Sequence, residues 1–221
     1  MPRRSDTDPK ALAKDRDAAL RLVPLSDTEQ QRLLIYQNLI LRWHGMLNLV
    51  SASTVPKLWT RHIADSAQLR DLAPSALRWA DFGSGGGFPG MVIALLLAEV
   101  PGAEIHLIER DKRKAAFLQA VSRETGAPAV VNAASIQEIL PTLRDIEIIT
   151  SRATAPLMQL IEWSFWLLKG GATGLYLKGR SVQQEIDTLP KARSFDLSTL
   201  RSRTDPSGRI VSVRYRSEAI R

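Results

Sequence analysis

The sequence predicts an α/β fold: a mostly parallel sheet closed by a C-terminal antiparallel hairpin and preceded by helices. Three observations lead there. From Trp79 onward, short apolar runs alternate with helical patterns, the rhythm of βαβ units. A glycine-rich stretch, 83–90, stands where the first of these runs hands over to an apolar helix. Near the end, Asp205-Pro206-Ser207-Gly208 places proline where its fixed φ suits a turn and glycine where φ can be positive, between two β-like stretches.

The elements follow in order. Residues 1–25 are polar and rich in Pro, Arg and Asp, and are expected to be a flexible N-terminal segment with at most a short amphipathic helix over 11–22. A single domain then spans 26–221, with a helical part, 26–75, and an α/β core, 76–221. Ser26-Asp27-Thr28-Glu29 has the spacing of a capping box, so a helix starts there. Leu33, Leu34, Gln37, Ile40, Leu41 and His44 recur at three- and four-residue intervals and give it one largely apolar face, flanked by Tyr36 and Trp43 as core aromatics. In the core, strands are predicted over 79–82, 104–109, 129–132, 147–151 and 174–178, and helices over 90–99, 111–125, 155–168 and 182–188. The stretches 194–200 and 209–216 form the closing hairpin.

Composition excludes several classes. Apolar residues make up 44% of the 221 and charged residues 24%, ordinary values for a globular protein. Cysteine is absent, which removes disulfides, thiolate metal sites and thiol nucleophiles together. Of the three histidines, His44, His62 and His106, no two stand four apart around a glutamate, so no metal is expected. The N-terminus mixes acids and bases with no apolar region behind it, and the longest apolar run, 90–98, is about half a membrane span, so a cytoplasmic protein without membrane contact is expected. The net charge is +7, and from Lys178 onward there are ten Lys/Arg against five Asp/Glu. Such an excess suits a polyanionic partner, although it also serves solubility alone.

The strongest candidate site is Asp81-Phe82-Gly83-Ser84-Gly85-Gly86-Gly87-Phe88-Pro89-Gly90. Five glycines in eight residues carry a large entropic penalty unless something approaches the backbone closely. The run fits both Gly83-x-Gly85-x-Gly87 and the dinucleotide pattern Gly85-x-Gly87-x-x-Gly90. Asp81 tips the balance toward a cationic cofactor such as S-adenosylmethionine, because a carboxylate beside the loop would repel a pyrophosphate. Pro89 near the helix start also removes an N–H donor that phosphate binding exploits. Glu109, an acid ending the next strand, is placed to hold a ribose diol and fits either nucleoside cofactor; it could also serve only as a helix N-terminal charge. A parallel sheet with a closing hairpin matches the Rossmann-like class I methyltransferase sheet rather than an all-parallel dinucleotide-binding one.

With these motifs in place, the chain resembles the 16S rRNA guanine-N7 methyltransferases, the glucose-inhibited division protein B family. The resemblance runs from about Ile35 to Lys178. It rests on Asn48-Leu49-Val50, Arg61-His62-Ile63-Ala64-Asp65-Ser66, the loop from Asp81 to Gly90, and Ser151-Arg152-Ala153 with Leu177-Lys178-Gly179. It implies methylation at N7 of a guanine in the decoding-region loop of 16S rRNA, within the small ribosomal subunit. It also implies cofactor contacts at Gly83, Phe88, Ile136, Gln137 and Arg152. Two departures stand out: Phe88 replaces the leucine of many relatives, and Ile136-Gln137 replaces a hydrophobic–acidic pair.

Several residues keep two readings at this level. Arg61, His62 and Asp65 fall on one helical face by spacing, and are either site residues or a buried hydrogen-bond cluster tying the N-terminal helices to the sheet. Arg152 sits just past a strand at the carboxyl edge, where open sheets bind ligands, and is expected to position substrate. Lys178 ends another strand on that edge, as a substrate-positioning phosphate contact or an ordinary surface lysine. Guanine N7 carries an exposed lone pair, so no catalytic general base is required. A nicotinamide-dependent oxidoreductase and a non-catalytic rRNA-binding factor remain alternatives on these data.

Overall fold

The structure, a computed structural model, describes residues 8–189 and 194–216. The expected fraying of the first residues concerns 1–7 and lies outside the described part. The short helix expected over 11–22 is α1 (Pro9–Leu22), which starts two residues earlier, is capped by the Asp8 side chain, and buries Leu12 and Ala19. It is ordered by a long-range partner. The Asp15 carboxylate accepts from Trp59 N at 2.8 Å and Thr60 N at 3.1 Å, 44 and 45 residues away.

The capping box at Ser26 opens α2 (Asp27–Leu47), whose Leu33, Tyr36, Leu39 and Ile40 are at most 2% exposed. Burying each stabilises by about 1.5–3 kcal/mol, which docks the helix firmly on the core. A 3-10 turn, Ala52–Lys57, and a π-helical turn, Trp59–Ala64, lead into the short α3 (Asp65–Ala67). Across this turn Arg61 faces out, whereas His62 is buried, so the two do not share one face.

The sheet strands are β1 (Arg78–Phe82), β2 (Glu104–Ile108), β3 (Ala129–Asn132), β4 (Ile148–Arg152), β5 (Thr173–Lys178), β6 (Phe195–Arg201) and β7 (Arg209–Tyr215). Their order is β3-β2-β1-β4-β5-β7-β6, with β1 to β5 parallel and β7 antiparallel to both neighbours. The helices between them are α4 (Gly90–Leu96), α5 (Lys112–Thr125), α6 (Ile136–Ile139), α7 (Leu157–Lys169) and α8 (Val182–Asp187). Neighbouring strand residues go to opposite faces: Trp79, Ile105 and Leu177 join the core under α1, α2, α4 and α5, while Phe82, Ile149 and Tyr176 join the core under α7. The four-residue α6 was not expected, although Ser135 and Glu138 form a capping box like that at Ser26. Helix α7 starts at Leu157 rather than 155 because Pro156 occupies its N-cap. Among the described residues, no helix is long and apolar enough to cross a membrane.

Candidate functional site

The order of the sheet reverses between β1 and β4, and the carboxyl edge at such a switch point is where open α/β sheets bind ligands. A cleft of about 520 Å³ opens there. Its floor is the glycine loop, held by Gly83 N and Ser84 N donating to Ile108 O, each at 3.0 Å. Glycine is required at two loop positions for different reasons. Gly85 has φ +56°, and a Cβ there would meet nothing closer than Gly83 O at 3.8 Å, so it would project into open space beside the loop. Gly87 has φ +98°, and a Cβ there would come within 2.5 Å of the Tyr36 hydroxyl and 2.7 Å of Met91 Cβ.

Gly87 therefore does not line the cleft, contrary to the sequence expectation; it lets α2 pack against the loop. Tyr36 completes that contact by donating its hydroxyl to Gly86 O, so this core aromatic also clamps the glycine loop.

Asp81 also departs from expectation. It is 1% exposed and sits behind the loop, not in the cleft. Its Oδ1 accepts from Thr150 Oγ1 at 2.8 Å. Its Oδ2 has no well-formed hydrogen bond, although the Gly90 backbone lies beside it. Burial raises its pKa to about 6, against the opposing pull of the Thr150 hydroxyl. Hence Asp81 cannot present an exposed counter-charge to a bound cation; it braces the start of α4.

The other expected residues gather around the opening. Gly83, Gly85, Phe88, Glu109, Ile136, Gln137 and Arg152 all line it. Glu109 serves the backbone first, with Oε2 accepting from Gly85 N and Oε1 from Asp111 N, both at 2.8 Å. Each oxygen retains a second acceptor site, and Glu109 lines the cleft. Sequence reasoning missed Thr154, whose Oγ1 donates to Phe82 O at 3.0 Å, as well as Ser135 and Trp163 in the lining. The capping box marked Ser135; nothing local marked the other two.

Arg152 is the hinge of the site. Its guanidinium donates to Arg61 O at 3.1 Å and to His62 Nδ1 at 2.7 Å, and its Cζ lies 5.1 Å from the Phe88 ring centroid. Because Nδ1 accepts from a permanent cation, the His62 proton belongs on Nε2, which reaches Thr54 Oγ1 at 2.9 Å. Burial and the nearby Arg152 charge push the His62 pKa down to about 3. The imidazole is thus neutral across the physiological range.

On the far side of Arg152, a second cavity of about 300 Å³ is lined by Arg61, Asp65, Lys178, Ser202, Thr204 and Arg209 among others. Arg152 and Ala153 belong to both openings. Lys178 departs from its expected role as a phosphate contact: Nζ donates to Glu185 Oε2 at 2.7 Å and Ala155 O at 2.9 Å, so its charge is already met. Arg61 pairs with Asp205, and Asp65 accepts from Ser202 Oγ at 2.9 Å and Thr204 Oγ1 at 2.8 Å. The segment 61–65 thereby ties the N-terminal helices to the hairpin while also walling the cavity.

Comparison with known proteins bears on this geometry. A family model described as GidB, rRNA small subunit methyltransferase G, matches residues 29–205. The ribosomal RNA small subunit methyltransferase G of a Bradyrhizobium species (strain BTAi1) is 48% identical over 205 residues, covering 92% of each chain. Its counterpart from Methylobacterium nodulans is 42% identical, covering 91% of this chain and 95% of the relative. Among solved structures, an O-methyltransferase from Bacillus cereus in complex with SAH aligns at TM-score 0.60 and 13% identity, covering 92% of this chain and 98% of that one. The O-methyltransferase TomG from Streptomyces achromogenes aligns at TM-score 0.59 and 16% identity, covering 92% and 96%. These two likenesses establish the class I methyltransferase fold, and the sequence matches across nearly the whole length establish that the chain belongs to the rRNA small subunit methyltransferase G family.

Proposed function

We propose that the chain methylates N7 of a guanine in the decoding-region loop of 16S rRNA, using S-adenosylmethionine and acting on RNA within the small ribosomal subunit. The observation that carries this reading is the pair of cavities meeting at Arg152, one sized for a nucleoside cofactor and the other beside it for a base. The cleft suits the cofactor: Ile108 and Ile136 offer apolar walls to a purine, Glu109 keeps lone pairs for a ribose diol, and Gly85 leaves space that a Cβ would fill. S-adenosylmethionine supplies an electrophilic methyl group on its sulfonium.

The chain's own residues then have positioning work to do. Guanine N7 needs no deprotonation, which agrees with a neutral His62 whose Nδ1 is already occupied by Arg152. Arg152, braced by Arg61 O, His62 and Phe88, holds a cation at the junction, where it orients the RNA. Asp81 and Gly87 support the loop from behind, and Lys178 keeps the β5 end in place through Glu185. Family membership and the paired cavities favour methyl transfer over nicotinamide-dependent oxidation or a purely structural RNA-binding role.

Calorimetry with S-adenosylmethionine and with NADH, followed by transfer from methyl-labelled cofactor to 16S rRNA, tests the reading. Micromolar binding of the methyl donor, none of NADH, and label in 7-methylguanine are expected. Binding of NADH instead, or label on another atom, would refute it.

A further inference from the structure

The second cavity holds a carboxylate with one oxygen fully engaged and the other idle. Asp65 stands at the start of α3 in the cavity wall, and its Oδ1 accepts from Gln68 Nε2 at 2.9 Å, Ser202 Oγ at 2.9 Å and Thr204 Oγ1 at 2.8 Å. Three donors from two elements fix the plane of the carboxylate. Oδ2 takes no hydrogen bond from any of the described residues. The other two acids of the cavity are differently placed: Asp205 pairs with Arg61, and Glu185 with Lys178. Asp65 is therefore the acceptor that the cavity offers, close enough to Arg152 to act on its charge.

We infer that Asp65 is a specificity-determining residue, its Oδ2 reading the Watson–Crick edge of the target guanine by accepting from N1–H and the neighbouring 2-amino group. This rests on the function proposed above. A guanine that turns N7 toward the cofactor cleft turns N1 and N2, its donors on the opposite edge, away from the cleft and into the base cavity. An anionic acceptor pre-oriented by three hydrogen bonds suits those donors. Adenine presents a lone pair at N1, so acceptor would meet acceptor, leaving the Asp65 carboxylate unpaired. Gln68, Ser202 and Thr204 act through Asp65 as positioning residues.

The test uses the full chain and an RNA substrate in which the methylated guanine is replaced by 2-aminopurine. That base keeps N7 and the 2-amino group but carries a lone pair at N1. For the wild type, kcat/KM for guanine is expected to exceed that for 2-aminopurine by about 100-fold, the discrimination of a good base-edge contact. Asp65→Asn supplies an amide donor in place of the acceptor. It should lower the guanine value and raise the 2-aminopurine value, narrowing the ratio to about tenfold or less. A purely structural role for Asp65 would lower both values together, so an unchanged ratio in Asp65→Asn overturns the inference.

Near-equal use of the two bases by the wild type overturns it with no variant at all. Ser202→Ala, which removes one of the three donors holding Oδ1, is expected to narrow the ratio partly and covers the case in which Asp65→Asn does not fold. If the wild type places no methyl on guanine N7, the proposed function itself falls, and this inference with it. N7 methylation with an unchanged ratio refutes the inference alone.

Discussion

Replacing Asp81 with asparagine should make the protein more stable at neutral pH, by an amount that vanishes in acid. Burial lifts the carboxyl from its ordinary 3.8 to about 6, so the fold prefers the protonated form. The stability contributed by this group is fully present below about pH 4 and is lost as pH rises through about 6. That interval corresponds to about 3 kcal/mol, at roughly 1.4 kcal/mol for each pH unit. Asparagine imitates the protonated acid in size and charge. Its carbonyl can face the Gly90 backbone while its amide donates to the Thr150 hydroxyl, which turns to accept. Urea unfolding of both proteins at pH values from 4.5 to 7.5 measures the difference directly, provided the slopes match. The variant should lead by about 1 kcal/mol at pH 4.5, widening to about 3 kcal/mol at pH 7.5, or roughly 6–12 °C in Tm for a domain of this size. A difference independent of pH, or a variant less stable at pH 7.5, would refute the idea that Asp81 is a buried charge tolerated behind the loop.

Other outcomes follow from the same geometry. Gly85→Val should abolish calorimetric binding of S-adenosylmethionine while circular dichroism stays native, because the new side chain points into the open cleft rather than into packed atoms. Tyr36→Phe removes the hydroxyl that donates to Gly86 O, and should lower unfolding free energy by about 1–3 kcal/mol by leaving a buried carbonyl unmatched. RNA affinity should fall steeply with salt, with a slope of about −0.7 per phosphate contact on a log–log plot, whereas cofactor affinity stays nearly constant. Single-turnover methyl transfer should be flat from about pH 6.5 to 8.5, in the wild type and in His62→Gln alike, since His62, at about 3, does not titrate there. A sigmoidal rise that disappears in His62→Gln would restore a general base.

Local chemistry carried most of the fold. The parallel part of the sheet was legible because its strands are short, largely apolar and bounded by turn or cap residues, and the hairpin because Asp205-Pro206-Ser207-Gly208 specifies a turn in four residues. The cleft was legible through its glycines, since few sequences other than a ligand-contacting loop tolerate so many. What stayed hidden depends on partners far apart in the chain. Helix α1 is ordered by Asp15 reaching Trp59 and Thr60, and Lys178 is neutralised by a glutamate on the following helix. Spacing could suggest neither. Asp81 was misplaced for a related reason: position two before the first glycine puts it near the loop, but strand alternation turns its side chain into the core beneath α4, on the face shared with Trp79.

The most direct test of the account is to map methylated bases in 16S rRNA from cells with the intact protein, cells without it, and cells carrying only Gly85→Val. One 7-methylguanine in the decoding-region loop, present with the intact protein and absent from both other strains, is the expected result. An unchanged modification pattern across the three, or loss of a methyl group from any atom other than a guanine N7, would contradict it.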